Sequence, residues 1–336
     1  MSLLLLIFIL GALPALYRIY SKRKSKQKQC AYGDAAALTI LKTPNDYQPL
    51  KKVFGSIKTP AERYFYSVSI SRNMSLKALE KWAESEPDSA DALLCYGSRL
   101  LQWSWEARGY GRGKSVSKKS WQKFYDRLDK TRGVLLKCGE KDRSDPTPWS
   151  YLIMVATWHS EDELKYEYFD QAIKRDPENW SAHMHMITAL SEKWGGSHEE
   201  MFDFARNASK NASEGSDLAS IVVKANLEYW KYLDLFEGKT QLAKEFIQRE
   251  DVREEVISAY ERSLKHRSFT NSMVSVFARY NLSGWFWLTR DKPRLTDELS
   301  ILENSIEDIH WRWVGTEGEL DQAFKFTAKR GRAIQC

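Results

Sequence analysis

Apolar residues in this chain recur three and four positions apart rather than alternating. Leu164, Tyr168 and Ala172, joined by Phe169 and Ile173, share one helical face, and Met201, Phe202, Phe204 and Ala205 supply another. Further runs of helical period cover roughly residues 216–236, 251–266, 270–289, 296–311 and 317–330. No turn-bounded alternating segment predicts a strand, so the expected class is all-α.

Helix-start signals punctuate the pattern. Thr59-Pro60 places a capping residue before a proline at the first helical position, where the missing N–H costs nothing. Ser160-Glu161-Asp162-Glu163 has the spacing of a capping box. Residues 29–58 are polar, contain Pro44 and Pro49, and are expected to be a linker with one short helix.

A repeat emerges from these punctuation points. SEPDSADALL (85–94), SDPTPWSYLI (144–153) and RDPENWSAHM (175–184) each set an acidic residue before proline and then an apolar run. Pro87, Pro146 and Pro177 stop one helix and start the next. The second interval is close to the period of about 34 residues of a helix-turn-helix repeat, and the first fits a unit enlarged by the Gly/Lys-rich stretch at 108–119. The expected architecture is an α-solenoid of stacked helix hairpins, tetratricopeptide-like, over residues 59–336.

SEKWGGSHEEMFDFAR (191–206) admits two readings, an active-site loop or a joint between helices. The second follows from helix-end physics. MHMITALSEKW ends one helix at Trp194, Gly195 takes a left-handed C-cap, and Gly196 continues the turn. Ser197 caps the next helix with Glu200 completing a capping box. In this reading His198 is a helix-face residue, not a catalytic one.

QWSWEARGYGRGKSVSKKSWQKFYDRL, DPTPWSYLI and KWGGSHEEMFDFAR together resemble a bacterial family of tetratricopeptide-like helical domains of unknown function. The resemblance covers roughly residues 90–235. It implies a helical-repeat fold and a bacterial source, and it implies no reaction.

The N-terminus is different in kind. MSLLLLIFILGALPALYRIY opens with an apolar run from Leu3 to Tyr17, at the short end of what crosses a bilayer, and Arg18 can snorkel. Positive charge follows the run instead of preceding it, which predicts a single-pass anchor over residues 1–20 with the N-terminus outside and the body cytosolic. The basic segment that follows, within 21–58, suits anionic lipid headgroups near residues 18–28. With the bacterial resemblance, the expected location is the inner (cytoplasmic) membrane.

Charge and cysteines narrow the function. The net charge is +6, but residues 1–28 hold six basic groups and no acidic one, leaving 45 of each sign in the body. A neutral body disfavours non-specific nucleic-acid binding. Cys30, Cys95, Cys138 and Cys336 show no CxxC spacing, so a reducing compartment is expected. GYGRGKS lacks the first glycine of a phosphate-binding loop, since position 108 is arginine, and His198-Glu199 lacks the second histidine of a zinc motif. His183 and His185, two apart on a helix, point to different sides. No catalytic residue, metal or cofactor is therefore expected.

What remains is a binding protein. Candidate binding residues are Trp105, Arg108, Arg112, Lys114, Lys118 and Lys119, where cations lie among Trp103, Tyr110 and Trp121. The leading expectation is a membrane-anchored scaffold that binds a protein or peptide partner. The alternative is an anion or nucleic-acid binder acting through 108–123, and an enzyme with a non-standard site comes third. The aromatic clusters WFW (285–287) and WRW (311–313) belong to core packing or, alternatively, to a concave peptide groove. Replacing Arg108 and Arg112 is expected to weaken partner binding with little change in melting temperature.

Overall fold

The computed structural model describes residues 32–109, 111, 113–302 and 319–327. The apolar run at 1–20, Arg112 and the WRW cluster lie outside the described residues. Among the described residues there is no strand, and no helix is long and apolar enough to cross a membrane.

The chain is a succession of helices: α1 (Ala35–Lys42), α2 (Gln48–Phe54), α3 (Pro60–Asn73), α4 (Leu76–Ser85), α5 (Ala90–Arg108), α6 (Lys118–Lys141), α7 (Thr147–His159) and α8 (Asp162–Arg175). It continues through α9 (Trp180–Leu190), α10 (His198–Asn211), α11 (Val222–Lys231), α12 (Thr240–Gln248) and α13 (Glu250–Arg262), then α14 (Ser275–Leu288), α15 (Lys292–Leu302) and α16 (Glu319–Thr327). A π-helical turn, Tyr232–Phe236, continues α11.

The repeat signature marks real joints, of two kinds. At Glu86-Pro87-Asp88-Ser89 and Asp176-Pro177-Glu178-Asn179 the acidic residue caps the outgoing helix. The residue three later closes the turn and caps the incoming one, Ser89 accepting from Ala92 N and Asn179 from Ala182 N. A joint this short returns the chain antiparallel. At Pro146 the geometry departs: Asp145 is buried, accepts from Thr147 N and pairs with Arg63.

Helices on alternate positions pack on one another, α1 on α3, α3 on α5, α5 on α7, α7 on α9, α9 on α11, with α2, α4, α6, α8 and α10 lying against them. Burial matches these two roles. α7 is buried continuously from Ser150 to Thr157, whereas α10 buries only Met201, Ala205 and Ser209, a stripe of period four. The row then curls back on itself. Phe277 of α14 meets Tyr64 of α3 (ring centroids 5.9 Å), stacks on Trp180 of α9 (5.7 Å) and lies edge-on to Tyr32 (5.1 Å). Aromatic side chains thus occupy the face that the alternative reading gave to a concave groove. WFW is core, with Trp285 and Phe286 each 1% exposed.

A buried histidine of α9 ties α3 and α7 together. His185 Nδ1 lies 2.7 Å from Ser150 O, so it carries the proton, and Nε2 accepts from Tyr64 Oη at 3.2 Å. Burial pushes this imidazole down to about 4, consistent with a neutral ring. His183, two residues away, packs on Phe169 and Phe204, so the two rings do face different surroundings.

Several sequence expectations need correction. The expected linker 21–58 is helical in its described part, because Asp34 caps α1 and Pro49 opens α2, burying Ile40, Leu41, Leu50 and Phe54 in the core. Ser160 is not an N-cap. It sits in the left-handed region (φ 59°) and terminates α7, since a two-residue connection to α8 needs its reversal there; Glu161 precedes α8 without a side-chain cap. The helix before the KWGG joint ends at Leu190, and a 3-10 turn, Glu192–Trp194, follows. α12 had no counterpart among the expected runs.

Candidate functional site

Two stretches singled out in the sequence meet in space. Gly109, with φ 77°, ends α5 and turns the chain away, and Ser117 starts α6 by accepting from Ser120 N. The hairpin between them leaves Trp105 and Arg108 facing Trp121 of α6. The Arg108 guanidinium carbon lies 4.9 Å from the Trp105 ring and 4.6 Å from the Trp121 ring, held between two π faces. Its Nη1 donates to Gly109 O (2.9 Å) and Gly111 O (3.1 Å).

Trp158 at the end of α7 and Trp194 of the 3-10 turn close the other side. Trp105 meets Trp158 edge-on at 4.9 Å and Trp194 at 6.3 Å. The result is an aromatic cavity of about 320 Å³ with Arg108 and Lys193 as its cations and Asp162 as its acid. Asp162 is already engaged by Lys165 at 2.8 Å. Two donors at this cavity, Arg108 Nε and Trp158 Nε1, are buried without an acceptor.

The other candidate residues separate from this centre. Lys114, Lys118 and Lys119 are exposed and form no ion pair among the described residues. Trp103 is held by Arg127, which stacks 3.5 Å from its ring and donates to its carbonyl. Sequence reasoning named Trp105, Arg108, Trp121 and Trp194 but missed Trp158, Phe124, Tyr125 and Lys193. Trp158 lay within an apolar helix, where nothing distinguishes a core tryptophan from a cavity wall.

The KWGGS joint positions Trp194 and Lys193. Gly195 has φ 93° and open space around it. Gly196 is constrained differently: a Cβ there would sit 2.0 Å from Leu190 O. Ser197 accepts from Glu200 N at 3.1 Å, but the reciprocal half of the box is missing because the Glu200 carboxylate takes the Tyr166 hydroxyl instead. His198 packs edge-on between Tyr229 (4.6 Å) and Tyr232 (4.5 Å), with Nε2 2.7 Å from Glu192.

His159, whose ring lies 5.5 Å from that of Tyr125, faces Asp129 at 3.3 Å, and burial depresses its pKa. Among the described residues no group of histidine, cysteine and carboxylate side chains could hold a metal. Cys95 and Cys138 are buried thiols whose pKa burial raises well above the usual, the opposite of an activated nucleophile. No protein-family model matches this sequence, and no curated protein is significantly similar to it.

Proposed function

We propose that this protein is a tetratricopeptide-like helical-repeat scaffold that binds a peptide segment of a protein partner in the aromatic cavity between α5, α6, α7 and the KWGG joint. The observation that carries this is the convergence of Trp105, Trp121, Trp158 and Trp194 around two cations, with Arg108 Nε and Trp158 Nε1 lacking acceptors. Rigid aromatic walls offer large contact area at small entropic cost, and unpaired donors can fix a peptide carbonyl or carboxylate. The alternate-helix packing and the Pro87 and Pro177 joints support the repeat assignment, and the closure by Phe277 moves the binding surface off a concave groove.

In this account residues 1–20 anchor the protein in a bacterial inner membrane, with the N-terminus outside. The support is the order of the apolar run and the basic segment after it. The exposed Lys114, Lys118 and Lys119 would then draw acidic segments toward the cavity mouth.

A peptide library selected on the immobilised full-length chain tests the assignment. Enriched peptides should lose about tenfold or more in affinity with Trp121→Ala or Trp194→Ala, the loss typical of an aromatic anchor. They should keep it with Leu242→Ala, an exposed residue on α12. Equal affinity for all three variants would contradict the assignment.

A further inference from the structure

A second cavity, of about 440 Å³, lies between α10, α11, α12 and α13, and it shares no lining residue with the aromatic cavity. Phe202 of α10, Tyr229 of α11 and Phe246 of α12 form its apolar wall, with Tyr229 meeting Phe246 at 4.7 Å and Phe202 at 5.8 Å. Asn226 of α11 also lines it and is wholly buried, at 0% exposure. Its amide nitrogen donates to Val222 O at 3.1 Å and to Glu255 Oε2 at 3.0 Å. Those two acceptors fix which way round the amide sits, because a flip would set its oxygen against a carbonyl and a carboxylate. Asn226 Oδ1 is then buried without a donor. Buried polar atoms are nearly always paired, and this one is not.

Charge at the mouth of this cavity is unbalanced. Arg206 lies 4.9 Å from the Phe202 ring and pairs with Glu255 at 2.6 Å, and Arg249 pairs with Asp251 at 2.5 Å, so both cations are already neutralised. Glu199 and Asp203 sit one turn apart on the exposed side of α10 and line the same cavity. Neither carboxylate has a hydrogen bond or ion pair among the described residues. The positive end of α10 accounts for Glu199, but Asp203 lies beyond the first turn and has no such reason. The cavity thus presents a buried neutral acceptor, two unpaired carboxylates and an aromatic wall, which together suit a cationic donor.

We infer that this cavity binds an arginine side chain of a protein partner. A guanidinium carries several donors spread over one plane, so it can reach both the buried Asn226 Oδ1 and a carboxylate at the mouth while its face packs on aromatic rings. An ammonium concentrates its donors at one point and is more strongly hydrated, so lysine suits the site less. This site is separate from the peptide-binding cavity and does not rest on it.

Isothermal calorimetry of the full-length chain with Nα-acetylarginine amide tests the site. The expected result is saturable binding, about tenfold tighter than that of Nα-acetyllysine amide and weakened about tenfold by Asp203→Asn. Asp203→Lys, which sets a cation at the mouth, should abolish it. Asp170→Asn, which alters an exposed carboxylate of α8, should leave the affinity unchanged. Asn226→Ala removes the buried acceptor and should also weaken binding about tenfold. If that variant does not fold, Asp203→Lys decides, since Asp203 is exposed and its replacement leaves the core intact. No saturable binding, equal affinity for the lysine amide, or binding that survives Asp203→Lys overturns the inference. So does an equal loss in Asp170→Asn and Asp203→Asn, which would show diffuse attraction to the surface instead of a site.

Discussion

At Gly196 one added carbon decides the geometry of a joint. Its Cβ would meet the Leu190 carbonyl, a backbone atom that cannot rotate away. Gly196→Ala should cost about 2–3 kcal/mol through overpacking, and Gly195→Ala, strained by φ 93° but unobstructed, about 1 kcal/mol. Urea unfolding of the two variants checks the order; a larger cost at Gly195 would mean that the joint is looser than described. The sequence marked both glycines but could not rank them, because the obstruction comes from Leu190, six residues away along the chain. Arg108 revises an expectation of the same kind. Held between Trp105 and Trp121 and bonded to two loop carbonyls, it supports the cavity as well as lining it. Arg108→Ala should therefore lower stability by about 1–2 kcal/mol in addition to weakening a partner, where the sequence reading expected replacement of both Arg108 and Arg112 to change the melting temperature little. His198→Ala should also lower stability measurably in urea unfolding, since the ring fills the space between two tyrosines.

At the scale of elements, alternate-helix packing rests on a few polar ties that bridge distant helices. Arg63 of α3 holds Asp91 at the start of α5 and the buried Asp145 before α7, at 2.6 and 2.9 Å. Arg63→Ala leaves Asp145 without its partner and should cost about 3–5 kcal/mol, as breaking a buried pair does. Arg63→Ala with Asp145→Ala should recover part of that loss, and a strictly additive pair would contradict the coupling. The His185 tie predicts a pH dependence. Its folded pKa of about 4 lies below the ordinary 6.5, so the unfolded chain binds more protons in that window. Stability should fall as pH drops from 6.5 toward 4, by on the order of 2 kcal/mol from this group. His185→Gln should flatten that slope in chemical denaturation at pH 5 and pH 7. Most helices and most starts were legible, because period and caps are local; α1, α2 and α12 were not. Ser160 was misassigned because its capping spacing competes with a left-handed stop, and only the two-residue connection to α8 decides between them.

For the whole molecule, the sequence carried the all-α class and the Pro87 and Pro177 joints but not the closure. Phe277 reads as one apolar residue among many, yet it joins α14 to α3, α9 and Tyr32. Likewise α1 and α2 looked like linker because Pro44, Pro49 and several polar residues dilute a short apolar face that is completed by α3 and by Trp82 of α4. The cavity was half legible: its two stretches were each marked, 86 residues apart from Arg108 to Trp194, but nothing local says that they meet. The central claim is that this cavity receives a partner peptide. Its most direct test is a photo-crosslinking amino acid placed at Tyr125 on the cavity rim of the full-length chain in its own cells, with a matched probe at Lys210 on the exposed side of α10. The account predicts one defined crosslinked chain from position 125, absent from position 210 and abolished by Trp194→Ala in a chain that still folds. Crosslinks equal at both positions, or unaffected by Trp194→Ala, would contradict it.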